Sequence, residues 1–220
     1  MLNPSLWVIG AEGDKEDDTM QTRTEKGGKN SEGPIGTGLV IERRFTTVGE
    51  DPFDQFDWIE MDVEIRNADG SLAHRIDDVR LPSGFSGVAG KVLAQKYLRK
   101  AGVPAILRKV KEKGVPTWLQ RSEPDHEKLQ SLDPEKRFIG ESHGRELFRR
   151  LAGTWTYWGW KHGYFEAEAD ARAYFDEMCY LIASQRSAPN SPQWFNTGLH
   201  WAYGIEGPAQ GHRYLSLIHI

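Results

Sequence analysis

The chain has 220 residues, a formal net charge of −4 and a single cysteine, Cys179. The acidic balance argues against binding to DNA or RNA through counterion release and favours a small-molecule or protein partner. One cysteine excludes an intrachain disulfide and a thiolate metal cage, and no apolar run approaches the roughly 20 residues of a membrane span. We therefore expect a cytoplasmic protein with no nucleic-acid partner, no membrane partner and no metal site.

Both ends of the chain are expected to lie outside the folded part. Residues 1–37 are polar and turn-rich, so they cannot bury enough apolar surface to offset the entropy of ordering, and we expect disorder there. Met20 is an alternative start, because the acidic stretch before it has no evident role. Residues 215–220 (LSLIHI) resemble the in-frame translation of a sequencing adapter, which would cut the natural sequence at about Tyr214; the alternative is a short apolar strand.

Residues 38–140 are predicted to form a small α+β unit with a linker. Apolar residues alternate with charged ones from Ile59 to Ile65, the period-two pattern of a strand with one buried face. Turn chemistry follows at residues 67–70, and the alternation resumes at Leu72, which predicts a β-hairpin. A helix is predicted over residues 85–101. The proline-punctuated segments from there to Arg137 are expected to be surface connections.

Residues 141–214 are predicted to be mainly helical. Ser142 can cap a first helix that stops at Gly153. A second helix is predicted over residues 166–185, with an acidic first turn that suits the helix dipole. Cys179 lies on the apolar side of this helix, and its neighbours favour a packing role over a reactive thiol.

Two features near the end of the chain could carry function. Trp155, Trp158 and Trp160 could be exposed rings that stack on sugars or bases, although a packed aromatic core is favoured. The turn-rich residues 189–198 place the Ser191 hydroxyl beside Pro192. Such a loop can present hydroxyl and amide donors to an anion, and it can equally be a plain turn.

These two stretches also resemble a known family. Residues 153–160 (GTWTYWGW) and 188–204 (APNSPQWFNTGLHWAYG) closely resemble the class II, adenosylcobalamin-dependent ribonucleotide reductases. Residues 78–82 (DVRLP) followed by 92–99 (VLAQKYLR) are similar to the strand, proline and helix ahead of that family's barrel. The resemblance covers roughly residues 40–214 and indicates an N-terminal fragment of such an enzyme.

The resemblance implies a fold and an activity. The fold would be α+β: a small N-terminal β-hairpin unit, then a mainly helical region leading into the first strand of a ten-stranded α/β barrel. That barrel is expected to be missing from this chain, either absent altogether or represented by one strand near residues 194–200. The family converts ribonucleotides to deoxyribonucleotides by thiyl-radical chemistry initiated by adenosylcobalamin. Implied partners are the ribonucleotide substrate, with a diphosphate favoured by analogy, nucleotide effectors and an external dithiol reductant such as thioredoxin. A homodimer is compatible with the resemblance.

The resemblance also assigns site residues. Ser191 and Pro192 match the loop where the family places a hydroxyl at the substrate cleft near the phosphates, so we predict substrate binding by Ser191, Pro192 and Asn190. The family's catalytic residues have no match here, and Cys179 matches none of its cysteines. No catalytic residue and no cofactor site are assigned, and the chain alone is expected to be inactive. The alternative hypothesis is a self-standing, non-catalytic binding module that uses its tryptophan-rich cluster.

Overall fold

The computed structural model describes residues 38–85 and 87–206, which form a mixed α+β structure with small antiparallel sheets. The strands are β1 (Trp58–Arg66), β2 (Leu72–Pro82), β3 (Val103–Pro104), β4 (Leu107–Lys109), β5 (Ser122–Pro124) and β6 (Phe138–Ile139). The helices are α1 (Val88–Val92), α2 (His126–Gln130), α3 (Gly144–Lys161), α4 (Glu168–Ala183), α5 (Ser191–Asn196) and α6 (Leu199–Tyr203). This confirms the predicted α+β class. The expected disorder at residues 1–37 and the tail at 215–220 lie outside the described residues.

The predicted β-hairpin is confirmed by the antiparallel pairing of β1 with β2. Its apolar face contributes Val63 to the core, whereas the charged residues between the apolar ones are exposed. Gly70 closes the turn with a φ of 83°, a conformation that residues with a side chain rarely adopt. The register shifts between Met61 and Val63, and Asp78 on the opposite strand has a φ of 55°, so a bulge bends the hairpin there.

The helix predicted over residues 85–101 is shorter than expected. After α1 the chain continues as a π-helical turn, Leu93–Tyr97, and Leu98 is already extended. The reason lies in Arg99: its N–H donates to the Glu141 carboxylate at 2.8 Å, and its carbonyl accepts from the Glu141 N–H at 2.7 Å. Both backbone groups of Arg99 are therefore committed to a neighbour that is distant in sequence, and a continued helix could not bind them in this way.

The segment expected to be a surface connection has structure of its own. Strand β3 pairs with β6, and β4 pairs with β5, both antiparallel. Leu119 and Leu129 are buried beneath these short strands. The sequence pattern missed them because two- and three-residue strands are too short to show an alternation.

Helix α3 differs from the prediction at both ends. It begins after His143, whose Nδ1 accepts the Arg145 N–H at 3.1 Å, and not after Ser142. It also continues through Gly153 for two further turns. A Cβ at Gly153 would lie 2.1 Å from the Trp201 ring, so glycine is required here for close packing and does not end the helix. Helix α4 confirms the second predicted helix, shortened by two residues at each end.

Of the two alternatives for residues 194–200, the barrel strand is not formed, because α5 and α6 occupy this stretch. Pro192 lies in the first turn of α5, where its fixed φ favours a helix and its missing N–H costs nothing. Gly198, with a φ of 90°, then reverses the chain so closely against α3 that a Cβ would lie 2.3 Å from the Arg150 carbonyl oxygen. A helix start followed by a tight reversal leaves no room for a strand.

One apolar core lies between the inner face of the hairpin and the three helices α3, α4 and α5. Its largest fully buried side chains include Phe53, Leu81, Leu147 and Phe148. Residues from both predicted regions thus share this core, and the division between 38–140 and 141–214 stays a prediction. Within residues 38–85 and 87–206, no helix is both long and apolar enough to cross a membrane.

Candidate functional site

Ser191 is the first residue of α5, and its side chain is exposed. Its Oγ lies 3.1 Å from the Oη of Tyr97, at the end of the π-helical turn. Pro192 follows in the first turn, and the exposed Asn190 precedes the helix without capping it through its side chain. The three residues that the sequence assigned to substrate binding therefore lie together on an accessible surface, and their role stays a prediction.

Aromatic rings hold this surface in place. The Tyr97 ring stacks on Trp194, with centroids 5.3 Å apart and an angle of 18° between the planes. Phe195 packs against the same ring at 5.4 Å. Trp194 is 6% exposed and meets the core ring of Phe148 edge-on. Stacked rings of this size bury much apolar area and orient one another, so α5 and the π-helical turn form one packed unit.

A buried arginine lies beneath this unit. The Arg150 side chain is 1% exposed and its Nε donates to Glu141 Oε1 at 2.7 Å. Its remaining N–H groups donate to the carbonyl oxygens of Thr197 at 2.7 Å, Trp194 at 3.0 Å and Tyr97 at 3.3 Å. One guanidinium therefore connects α3 with the end of α5 and with the π-helical turn. The planar, multiply donating geometry of arginine suits it to this role.

Glu141 completes the buried network. Besides Arg150, it accepts the Arg99 N–H at Oε2 and the Tyr203 hydroxyl at Oε1, 2.7 Å away. Burial and the adjacent Glu141 carboxylate raise the pKa of Tyr203 well above its usual range, so the phenol stays protonated and remains a donor. The charges of Arg150 and Glu141 balance each other, which is the condition under which a buried ion pair is tolerated.

Cys179 lies in α4 with 0% exposure. Burial raises the pKa of its thiol well above the usual range, which disfavours the nucleophilic thiolate. The prediction that this cysteine fills the core is confirmed.

The three tryptophans of residues 153–160 do not form one platform. Their surroundings differ: Trp155 packs against the core, Trp158 is 51% exposed, and Trp160 donates from Nε1 to the Gly114 carbonyl at 2.6 Å. A stacking site for sugars or bases needs neighbouring rings on one accessible face. This geometry gives no support to the binding-module hypothesis.

The comparisons with known proteins agree with one another. A family model for class II vitamin B12-dependent ribonucleotide reductase matches residues 60–185. The chain is 55% identical over 177 residues to a vitamin B12-dependent ribonucleotide reductase of Bradyrhizobium diazoefficiens, and 54% identical over 177 residues to one of Agrobacterium fabrum. Each match covers 80% of this chain and 14% of the relative. A protein of the same name from Streptomyces avermitilis is 30% identical over 173 residues, which cover 78% of this chain and 14% of that protein.

These matches place the chain among the ribonucleotide reductases. The chain belongs to the class II, vitamin B12-dependent ribonucleotide reductase family, and it corresponds to the N-terminal region of that family. The resemblance found in residues 153–160 and 188–204 is thereby confirmed. The chain spans about one seventh of the length of the relatives it matches, since 14% of each is covered.

The described residues do not fit a cobalamin. A cavity of about 660 Å³ is lined by Trp58, Glu60, Arg80, His143 and Arg145. Its arginines are paired with carboxylates, Arg80 with Glu60 and Arg145 with Asp51. Such a charged lining does not match the broad, largely apolar face of a corrin, and we assign no cofactor role to these residues.

Sequence reasoning singled out Ser191 as a candidate but did not single out the residues that pack around it. In the sequence Tyr97 is only one residue of the helix predicted over residues 85–101, and Arg150 stands beside Arg149 as an ordinary charged pair. Glu141 carries no motif. All three gain their significance from contacts between residues that are far apart in the chain, which a single sequence does not display.

Proposed function

We propose that the whole protein to which this chain belongs reduces ribonucleotides to deoxyribonucleotides in the cytoplasm, by thiyl-radical chemistry that adenosylcobalamin initiates. In this proposal the ten-stranded barrel and its radical cysteine lie outside this chain. The chain alone is inactive, because reduction by a cysteine pair needs two thiols and this sequence has one, Cys179, which is buried. Family membership supports the reaction, and a ribonucleoside diphosphate is the preferred substrate by analogy.

Nucleotide effectors, a dithiol reductant such as thioredoxin and a second copy of the protein complete the proposal as partners. Their support is the family relationship alone, and none of the described contacts is assigned to them.

Within this enzyme, we propose that Ser191 donates a hydrogen bond to the substrate phosphates, with Asn190 and Pro192 shaping the surface around it. The observation that carries this proposal is the exposed Ser191 hydroxyl on a rigid base of stacked rings and buried ion pair. An anion that leaves water needs replacement donors. A hydroxyl held in one place supplies such a donor with little loss of entropy on binding.

The test is Ser191→Ala in the complete reductase, with Ser187→Ala in the same connection between α4 and α5 as the matched control. Loss of one hydrogen bond to a charged group is expected to weaken nucleotide binding by about 1 to 2 kcal/mol, or about 5- to 30-fold. Equilibrium binding of CDP and of CTP measures this loss and shows which phosphate chain is preferred. Hydrogen exchange from the cofactor should persist, since the radical cysteine lies elsewhere. Equal affinities for the Ser191→Ala variant and the wild type would remove Ser191 from the substrate site.

A further inference from the structure

Two hydroxyls share the accessible surface at the start of α5. Tyr97 Oη and Ser191 Oγ lie 3.1 Å apart although 94 positions separate them in the sequence, and the contact is exposed to solvent. Neither hydroxyl has a shorter protein partner among the contacts of the described residues. A buried pair would be explained by the need to satisfy polar groups, but an exposed pair could bind water instead, so the fold does not require this bond.

The position of Tyr97 is fixed without its hydroxyl. Its ring stacks on Trp194 and contacts the tilted ring of Phe195, and its carbonyl accepts from Arg150 Nη2. It also ends a π-helical turn, a rare irregularity that often occurs at functional sites. The ring and backbone contacts of Tyr97 therefore place its Oη beside Ser191. A phenylalanine at position 97 would keep these contacts.

The chemistry of the two groups sets the direction of the bond. A phenol is a stronger hydrogen-bond donor and a weaker acceptor than an aliphatic alcohol. When Tyr97 donates to Ser191, the serine keeps its own proton for a third group. A hydroxyl that accepts one hydrogen bond also donates a stronger one, because hydrogen bonds in a chain polarise each other.

We propose that Tyr97 is a positioning residue for substrate: its hydroxyl donates to Ser191 and directs the Ser191 proton outward to a nucleotide phosphate. This inference rests on the proposed function of Ser191. It adds a residue from the N-terminal α+β part of the chain to the substrate surface. Tyr97 acts through Ser191 and does not itself touch the phosphate.

The experiment is a double-mutant cycle in the complete reductase with Tyr97→Phe, Ser191→Ala and the double variant. Equilibrium binding of CDP is measured without turnover, and KM and kcat are measured separately. Tyr97→Phe keeps the ring stack and should weaken CDP binding by between about twofold and tenfold, the range for one uncharged hydrogen bond. It should raise KM and leave kcat close to the wild-type value. In the Ser191→Ala background the same substitution should have no effect, because the group that Tyr97 directs is gone.

Two further variants separate this role from a structural one. Tyr164→Phe removes the hydroxyl of another exposed tyrosine and should leave CDP binding unchanged. Ser191→Thr retains a hydroxyl and should retain sensitivity to Tyr97→Phe. Thermal unfolding of every variant should match the wild type to within a few degrees, which shows that the stack is intact.

The outcomes distinguish the two proposals. If Ser191→Ala leaves CDP binding unchanged, the proposed function of Ser191 is wrong and the role of Tyr97 falls with it. If Ser191→Ala weakens binding and Tyr97→Phe does not, Ser191 keeps its role and the positioning role of Tyr97 is refuted. If Tyr97→Phe weakens binding equally with and without the Ser191 hydroxyl, Tyr97 contacts the nucleotide directly, which also contradicts positioning through Ser191.

Discussion

Replacing Arg150 by methionine should be among the most damaging single substitutions in this chain. Methionine has a similar volume but is shorter and uncharged, so the change removes the guanidinium and replaces it with an apolar side chain of nearly the same size. Glu141, whose side chain is 0% exposed, would then be a buried carboxylate without its counter-charge. The carbonyl oxygens of Tyr97, Trp194 and Thr197 would lose their donor at the same time.

The expected loss follows from these contacts. Breaking a buried ion pair on one side costs about 3–5 kcal/mol. Each buried carbonyl left without a partner adds about 1–3 kcal/mol where water cannot reach it. A domain of ordinary stability has about 5–15 kcal/mol in total. The loss for Arg150→Met should therefore be at least about 3 kcal/mol, a large share of the whole.

Urea-induced unfolding, followed by tryptophan fluorescence, measures this loss. Arg149→Met is the matched control, because the Arg149 side chain is 45% exposed and its ion pair with Asp51 is long, at 4.0 Å. This substitution should change the free energy of unfolding by less than about 1 kcal/mol. Adding Glu141→Gln to Arg150→Met removes the uncompensated charge and should recover part of the stability. A loss of under about 1 kcal/mol for Arg150→Met, or no recovery in the double variant, would refute the assignment of this pair as the centre of the network.

Two further predictions concern α4. Cys179 should react with a maleimide only as fast as the folded protein opens, because burial raises the pKa of its thiol. Cys179→Ala should lower the free energy of unfolding by about 1 kcal/mol through lost packing. Rapid labelling of the native protein would contradict the packing role. Burial opposes ionisation of Glu177, but hydrogen bonds from the Thr46 side chain and from the backbone N–H groups of residues 44–46 outweigh it and lower its pKa. Glu177 therefore stabilises the fold above its unfolded pKa of about 4.3, and this contribution is lost as the pH falls through the lower, folded pKa. The difference in the free energy of unfolding between the wild type and Glu177→Gln, from urea midpoints, should be widest near about pH 7 and should narrow below about pH 4. A difference that stays constant across this range would refute this account.

The sequence predicted the elements whose signals are local. The hairpin followed from strict alternation between Ile59 and Ile65, and α4 followed from an acidic first turn before an apolar stripe. The burial of Cys179 followed from its place on that stripe. In each case one segment contains both the pattern and the turn or cap that ends it.

The errors arose where a distant residue decides the local structure. Gly153 suggests the end of a helix until the Trp201 ring is packed against it. Residues 194–200 suggested a strand because the resemblance placed a barrel strand there, whereas Pro192 and Gly198 favour two short helices. The contact of Tyr97 with Ser191, across 94 positions, has no signature in a single sequence.

The spacing of the Arg150 contacts along the chain has a consequence for biosynthesis. Glu141 is nine positions away from Arg150, and Tyr97 is 53 positions earlier, so both can meet Arg150 as soon as α3 has left the ribosome. Trp194 and Thr197 lie 44 and 47 positions later and are made after these contacts are available. Until α5 is made, the Arg150 guanidinium of the nascent chain therefore lacks the Trp194 and Thr197 carbonyl acceptors. Ser191 reaches its place beside Tyr97 only when that helix docks, so the surface that we propose binds substrate is completed at the end of the synthesis of this region.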